Sequence, residues 1–246
     1  MDLDHVALAT VDASAAIATL VGELGATVLS GGQFPGFRPV QLRVGDADRG
    51  MTVELLEPWD VAGRDFLARF LARHGDGPHH LTFKVDDLDE ALGALRASGR
   101  SPVGVDRSDP TWLEAFVVPA EAFGTVVQLA QAAEPGDFAA RFALVARDGP
   151  LADPAWWPAP PPRAVVPALL RRVVLRTPSR REALAFFGRL LGGREVGATD
   201  GATELAWPGG ARLLLEDGGG RPGIDRLELV GAAPARTVAG TRVVGS

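Results

Sequence analysis

Two histidines at matching places in a repeated pattern constrain this chain more than any other feature of its sequence. Residues 3–10 and 78–85 both alternate apolar and polar side chains, as strands do. His5 and His80 lie early on these two predicted strands. A helix with a capping aspartate and three further extended segments follow each strand, so a β-α-β-β-β order is predicted twice.

A third, fainter copy of this order follows later in the chain. The first copy has predicted strands at 3–10, 27–30, 37–44 and 51–57 around a helix at 15–24. The second has strands at 78–85, near 103, at 112–118 and at 125–130, and the helical spacing of 66–73 connects the two. The third has strands at 172–177, 202–206, 211–215 and 224–230 around a helix at 181–191. The chain is therefore predicted to be an α+β protein built from such modules.

Alignment of the first two copies places Glu54 opposite Gln128. The spacing from His5 to Glu54 is 49 residues, and that from His80 to Gln128 is 48. A single strand histidine is more often a hydrogen-bonded, half-buried residue than a ligand, but matching polar residues in two copies are hard to obtain from packing alone. Imidazole and carboxylate groups together suit a divalent metal ion, so these four residues are the predicted metal ligands.

The third copy lacks this set of residues. Arg172 occupies the place of His5, and Leu214 occupies the place of Glu54. We expect this module to be structural and not to bind metal in the same way.

Composition excludes several classes of protein. The net charge of −6 argues against general nucleic-acid binding, and the absence of cysteine excludes disulfides and thiolate chemistry. No apolar run approaches the roughly 18 residues of a membrane helix, and the acidic N-terminus is unlike a signal peptide. A cytoplasmic protein is expected.

The arginines at 171, 172, 176, 180 and 181 could bind an anion, but a solvated helix and strand end is the favoured interpretation.

We predict three segments along the chain. Residues 1–132 form the paired modules with the metal site, 133–168 a proline-rich linker, and 169–246 the degenerate third module. A single module leaves a sheet edge or face uncovered. We therefore expect a homodimer in which the third modules contribute to the interface.

The segments 3–9, 53–58 and 77–87 resemble the vicinal oxygen chelate superfamily, which includes glyoxalases, bleomycin resistance proteins and dioxygenases. The segment 77–87 is most similar to methylmalonyl-CoA epimerase and glyoxalase I-like proteins. The resemblance implies paired modules that form a U-shaped, mostly antiparallel sheet cleft. It also implies a metal held by His5, Glu54, His80 and Gln128, with zinc, cobalt, nickel, manganese and iron all possible. The family chemistry is stabilisation of an enolate of a chelating carbonyl compound.

The chain departs from the epimerase pattern at the proton-transfer residue. Epimerases of this family carry a catalytic glutamate on a middle strand of the first module, where this chain has Gln41. Glu114 is the alternative acid or base, since it shares a strand face with Trp112 and Phe116. Glu54 and Glu114 are therefore the candidate catalytic residues.

Three functions are compatible with these residues. The leading hypothesis is a metal-dependent isomerase, epimerase or lyase acting on a small, oxygen-chelating and possibly anionic substrate. The second is an Fe(II)-dependent ring-cleaving or other dioxygenase, because two histidines and one carboxylate form its usual ligand set. The third is a non-enzymatic protein that binds a ligand or an antibiotic.

Overall fold

The computed structural model describes residues 1–63, 65–132, 162–164, 166–231 and 234–246. Within them the chain is a mixed α+β protein with two large, mostly antiparallel sheets and few helices, as predicted. The strands of the first sheet are β1 (Asp2–Ala9), β2 (Thr27–Gly31), β3 (Gly36–Gly45), β4 (Gly50–Trp59), β5 (Gly77–Lys84), β6 (Val103–Asp106), β7 (Trp112–Val117) and β8 (Val126–Ala132). Those of the second sheet are β9 (Leu170–Thr177), β10 (Arg194–Ala198), β11 (Ala202–Ala206), β12 (Arg212–Asp217), β13 (Gly223–Leu229), β14 (Arg236–Val238) and β15 (Thr241–Gly245).

The helices follow the first strand of a module or connect two modules. They are α1 (Ala13–Ile17), which continues as a π-helical segment (Ala18–Glu23), α2 (Phe66–His74), α3 (Leu88–Ala97), and α4 (Arg180–Ala183), which continues as a second π-helical segment (Leu184–Leu190). Side chains of Asp12, Asp87 and Ser179 accept hydrogen bonds from backbone N–H groups of the first turns of α1, α3 and α4. These caps satisfy donors that a helix start leaves unpaired, which is why the helices begin where the sequence predicts. None of the helices in the described ranges has both the length and the apolar character needed to cross a membrane.

Strand order shows the modular architecture directly. The strands of the first sheet lie in the order β2-β3-β4-β1-β5-β8-β7-β6, and those of the second in the order β10-β11-β12-β9-β13-β15-β14. The first strand of each module lies beside its last, and the pairs β5–β8 and β9–β12 are parallel. Parallel neighbours require a crossover connection, which the helix of the module provides.

Each module also has an irregularity in the register of its second strand. The pairing of β2 with β3 shifts between Val28 and Ser30, and the pairing of β10 with β11 shifts between Glu195 and Gly197. After these shifts Ser30 pairs with Gln41, and Gly197 pairs with Glu204. Gln41 in the first module and Glu204 in the third therefore occupy equivalent positions.

The second sheet contains more strands than we predicted. The strand β10 was not predicted, because its residues are mostly exposed and present no continuous apolar face. The predicted strand at 224–230 is β13, which lies beside β9 and is followed in the sheet by β15 and β14. These three strands continue the sheet beyond the third module, so the uncovered edge from which we predicted a homodimer is occupied. The homodimer itself stays a prediction.

Most of the predicted linker, 133–168, lies outside the described residues, including the tryptophans at 156 and 157. The described end of this segment, residues 162–164 and 166–168, is hydrogen-bonded to the first module. The backbone N–H groups of Ala164 and Ala168 donate to the carbonyls of Val21 and Leu24. Arg163 also donates to the hydroxyl of Thr27. This end of the segment is therefore part of the folded structure.

The contacts divide the described chain into two compact units, each with its own core. One unit contains the described residues of Met1–His5, His80–Gly136 and Arg172–Arg226. Its core includes Phe83, whose ring centroid lies 5.4 Å from that of Trp207 and 6.2 Å from that of Phe187. The indole N–H of Trp207 donates to the carbonyl of Leu191 at 2.7 Å, which satisfies its polar group inside this core.

The other unit contains the described residues of Val6–His79, Asp137–Arg171 and Leu227–Ser246. In it, one face of α2 packs against the first sheet. Leu67 and Leu71 form a buried cluster with three residues of β1 and β4, namely Ala7, Ala9 and Leu56. Residues four apart lie on one face of a helix, as Leu67 and Leu71 do. Residues two apart lie on one face of a strand, as Ala7 and Ala9 do.

Candidate metal site

The two histidines selected from the sequence lie side by side. His5 is the fourth residue of β1, and His80 is the fourth residue of β5. Their ring centroids are 5.8 Å apart, with the ring planes inclined at 67°. They are only 1% and 6% exposed, so both imidazoles are held inside the protein.

Glu54 on β4 completes a group of three potential ligands. One donor atom from each of His5, Glu54 and His80 lies within 4.8 Å of the other two. Two imidazoles and one carboxylate are suitable donors for a divalent transition-metal ion. The donor set and its spacing therefore fit the metal that the sequence predicted.

Gln41 lies directly opposite Glu54 in the pairing of β3 with β4. Its amide nitrogen donates to the Glu54 carboxylate at 3.3 Å, and its amide oxygen accepts from the Ser30 hydroxyl at 3.3 Å. At this position Gln41 orients Glu54 and supplies no carboxylate. The middle strand of the first module thus lacks a group that can exchange a proton.

Asp4 and Lys84 fix the other side of the His5 ring. The Nδ1 atom of His5 lies 2.7 Å from Oδ2 of Asp4, and the ammonium group of Lys84 lies 2.9 Å from Oδ1. Burial alone would raise the pKa of the Asp4 carboxyl. The hydrogen bond with His5 and the ammonium group of Lys84 hold that pKa well below its usual range, so the carboxylate is charged at neutral pH.

Gln128 on β8, the fourth ligand predicted from the sequence, is engaged through both atoms of its amide. Its oxygen accepts a hydrogen bond from the hydroxyl of Thr82 at 2.6 Å, and its nitrogen donates to the carboxylate of Glu114 at 2.6 Å. An amide oxygen has two lone pairs, so one remains after the bond to Thr82. The metal-ligand role of Gln128 stays a prediction.

Glu114 is joined by hydrogen bonds through Gln128 to Thr82, which lies two residues after His80. Its Oε2 atom accepts from Gln128 and also from the indole N–H of Trp112 at 3.1 Å. Thr82 pairs with Gln128 in the register of β5 and β8, and it follows His80 by two residues on the same strand face. The predicted acid or base is thus a half-buried carboxylate that two N–H donors hold in place.

The two remaining histidines, which we did not predict as ligands, belong to an aromatic cluster. The His79 ring lies 4.6 Å from the ring of Phe70 and 6.2 Å from that of Phe66, and the His74 ring lies 4.9 Å from Phe70. Burial lowers the pKa of His79 to about 4, although the negative charge of Glu54 opposes this shift. His79 is therefore neutral at physiological pH.

Two arginines of β3 have partners of their own. Arg38 forms an ion pair with Glu57, and its guanidinium lies 4.6 Å from the ring centroid of Trp59. Arg43 is 5% exposed and donates to the carbonyl of Asp46 at 3.0 Å. Both side chains hold the β3–β4 region together.

The equivalent place in the second sheet carries an ion cluster. Arg172 on β9 donates to Glu204 on β11 at 2.8 Å, and Arg212 on β12 donates to the other oxygen of Glu204 at 3.1 Å. Glu204 pairs with Leu214 in the register of β11 and β12, as Gln41 pairs with Glu54 in the first module. The register therefore agrees with the sequence alignment of Leu214 with Glu54.

The basic cluster found in the sequence is largely neutralised by ion pairs. Besides Arg172, three of its arginines lie within 4 Å of a carboxylate: Arg176 near Asp225, Arg180 near Asp217 and Arg181 near Glu182. These contacts favour the interpretation of a solvated, paired surface over that of an anion site.

Two residues near the site were not recognised from the sequence. They are Asp4, which contacts His5, and Thr82, which contacts Gln128. An Asp-His pair early on a strand that also carries a predicted ligand was the available signal for Asp4. The sequence offers no comparable signal for Thr82, because its contact with Gln128 depends on strand register.

The strand order, the parallel pairing of first and last strands, and a two-histidine, one-carboxylate group agree with the resemblance to the vicinal oxygen chelate class of protein. Comparison with family models supports this class, since residues 4–116 match the glyoxalase/bleomycin resistance protein/dioxygenase superfamily. This part of the chain, 113 of its 246 residues, is similar to that superfamily. A search of curated proteins found no match.

Solved structures resemble the chain over different lengths. A hypothetical protein from Staphylococcus aureus matches with a TM-score of 0.64 and 12% identity, covering 100% of this chain and 98% of that one. At this level of identity the match shows a likeness of fold alone.

Two epimerase structures match a little over half of this chain. Streptomyces coelicolor methylmalonyl-CoA epimerase in complex with 2-nitronate-propionyl-CoA has a TM-score of 0.48 and 24% identity, covering 55% of this chain and 99% of that one. Methylmalonyl-CoA epimerase from Mycobacterium tuberculosis has a TM-score of 0.47 and 29% identity, covering 54% of this chain and 89% of that one.

Proposed function

We propose that this protein is a metal-dependent isomerase, epimerase or lyase that acts on a small carbonyl compound able to chelate the metal. The observation that carries the proposal is the group of His5, Glu54 and His80, whose donor atoms lie within 4.8 Å of one another. These are the ligand types that hold zinc, cobalt, nickel, manganese or iron in proteins. Gln128 is the proposed fourth ligand, through the lone pair that Thr82 does not use.

The bound metal would act as a Lewis acid that polarises a substrate carbonyl and lowers the free energy needed to remove a proton from the adjacent carbon. His5 and His80 are neutral donors, and Glu54 contributes one negative charge. The ligand set leaves the charge of a dication partly uncompensated, which favours an anionic oxygen substrate. Gln41 keeps the Glu54 carboxylate in position through its amide N–H.

Glu114 is the proposed proton-transfer residue, because Gln41 occupies the place where the epimerases carry a glutamate. Its carboxylate would accept the proton from the carbon next to the carbonyl. The same group would then return the proton to another substrate atom in an isomerisation, whereas an epimerisation would also need a second proton donor on the opposite face of the enolate. Gln128 and Trp112 donate to its Oε2 atom and so restrict its orientation. Glu54, the other catalytic candidate, serves in this scheme as a ligand.

The experiment that tests the proposal is elemental analysis of the purified protein beside a variant with both His5→Ala and His80→Ala. We expect about one metal ion per chain in the wild type and none in the variant. His79→Ala is the matched control, because it removes a neighbouring histidine that lies outside the ligand group. Exchange of deuterium from D₂O into enolisable thioesters and hemithioacetals would then identify the substrate class. Absence of metal even after reconstitution would contradict the proposal and favour a non-enzymatic ligand-binding protein.

A second candidate function is Fe(II)-dependent oxygen chemistry. Two histidines and one carboxylate are the ligands of the facial triad in non-haem iron oxygenases, and the observed group contains this set. Iron as the native metal, together with oxygen consumption in the presence of catechols, would support this function. Zinc, cobalt, nickel or manganese with proton exchange would support the first.

A further inference from the structure

We propose that Asp4 and Lys84 orient His5 for metal binding, which makes Asp4 a positioning residue of the site. This inference rests on the proposed metal site and deepens it. Its basis is a continuous chain of contacts within one of the two compact units. Asp4 Oδ2 lies 2.7 Å from Nδ1 of His5, and Asp4 Oδ1 lies 2.9 Å from the ammonium nitrogen of Lys84.

The contact with Asp4 selects one form of the neutral imidazole. A carboxylate is only an acceptor, so a stable contact at 2.7 Å requires the proton on Nδ1 of His5. The lone pair is then on Nε2, the nitrogen on the opposite side of the ring from Asp4. The proton position on one ring nitrogen thus decides which nitrogen is available to a metal. Carboxylates that accept from ligating histidines fix the ring in this way in many metal sites.

Lys84 has a separate role, because its ammonium group holds the Asp4 carboxylate in place. Adjacent residues on a strand point to opposite faces, so Asp4 does not approach the ring of His5 through strand geometry alone. The ion pair with Lys84 restrains the carboxylate from its other oxygen. It joins β1 to β5, the two strands that carry the histidines.

The charges favour orientation over electrostatic attraction as the role of the pair. Asp4 and Lys84 carry opposite charges and together add none to the site. The Asp4 side chain is 23% exposed and that of Lys84 is 42% exposed, so water also reduces their long-range effect. An amide at position 4 can accept the same hydrogen bond, and it should therefore retain most of the effect.

The test combines metal affinity with the protonation pattern of the ring. Zinc affinity, measured by competition with a chromogenic chelator, should fall about 10- to 100-fold in Asp4→Ala. It should fall only a few-fold in Asp4→Asn, and Lys84→Met should lie between these two. Asp2→Ala is the matched control, since Asp2 begins the same strand and accepts a hydrogen bond from Gly209 at 2.8 Å without contacting His5. It should leave zinc affinity unchanged.

A readout on the metal-free protein separates this inference from the proposed function. Nitrogen-15 NMR of the histidine side chains should show His5 protonated on Nδ1 in the wild type and in Asp4→Asn. The Nε2-protonated form should become dominant in Asp4→Ala. Wild-type protein that binds no metal but shows this dependence would overturn the proposed function and support the ring orientation by Asp4. Unchanged zinc affinity and an unchanged ring in folded Asp4→Ala would overturn the inference and leave the metal site standing.

Discussion

The two sheets place different chemistry on the same strand arrangement. In the first, His5 and His80 lie on the first strands of two modules, close to the carboxylate of Glu54. In the second, Arg172 occupies the first-strand position and forms ion pairs with Glu204, which Arg212 also contacts. Each sheet therefore concentrates polar groups where the first strand lies beside the last. Only the first sheet combines them into a metal-ligand set among the described residues.

The difference shows how a buried carboxylate can be neutralised in two ways. Glu204 is 8% exposed, and two guanidinium groups of the protein compensate its charge. Glu54 is the proposed partner of a cation that the protein must acquire from solution. The same architecture thus gives an ion cluster in one sheet and a proposed metal site in the other, which is why function must be argued from side chains and not from the fold.

The largest expected effect comes from removing the equivalent residue in each sheet. His5→Ala should abolish stoichiometric metal binding, because it removes one of two nitrogen donors. Arg172→Ala should keep about one metal ion per chain, since Arg172 belongs to the ion cluster. Equilibrium dialysis followed by elemental analysis measures both. Loss of metal from the folded Arg172→Ala variant would contradict the assignment of Arg172 to a separate ion cluster.

Glu114→Gln should lower proton exchange on an enolisable substrate by about 10²- to 10⁴-fold, because the amide cannot accept the proton. Metal content should stay the same, since Glu114 is not in the ligand group. Deuterium incorporation followed by NMR measures the rate. Glu204→Gln in the second sheet is the control and should leave this rate unchanged, whereas equal loss in both variants would show a general structural effect.

Glu204→Leu should destabilise the protein by about 3 kcal/mol, because it leaves Arg172 and Arg212 without their shared carboxylate. Adding Arg172→Leu should recover part of this loss. Urea unfolding followed by circular dichroism gives the free energies. A Glu204→Leu variant as stable as the wild type would show that the cluster contributes nothing measurable to the second sheet.

The smallest effect is expected from Gln41→Glu, which gives the first module the residue type of Glu204 in the third. The new carboxylate would lie opposite Glu54 and should destabilise the metal-free protein by about 1 kcal/mol through repulsion of like charges. Added zinc should restore stability, because a dication near Glu54 offsets the repulsion. Thermal unfolding with and without zinc provides the measurement. Equal stability of the metal-free variant and wild type would contradict the assigned register.

The sequence predicted the modules well because each element carries a local signal. Alternation identified β1 and β5, and the capping residues Asp12 and Asp87 located two helices. The exposed strand β10 and the short strands β14 and β15 were missed. Such strands are held by hydrogen bonds to neighbours in the sheet, and these neighbours are distant in sequence.

The candidate site was predictable to the extent that it repeats. Matching positions in two modules selected His5, Glu54 and His80, and the structure brings their donor atoms together. The contact between Asp4 and His5 was not predicted, since alternation along a strand assigns neighbours to opposite faces. The connection from Gln128 to Glu114 depends on the pairing of β7 with β8, which no local pattern determines.

The π-helical segments carry information about ancestry. A π-helical segment continues both α1 and α4, whereas α3 is α-helical throughout. A register shift occurs at the second strand of all three modules, so the helices and not the shift set the first and third modules apart. A duplication that copied two adjoining modules at once would leave this alternation of helix types along the chain.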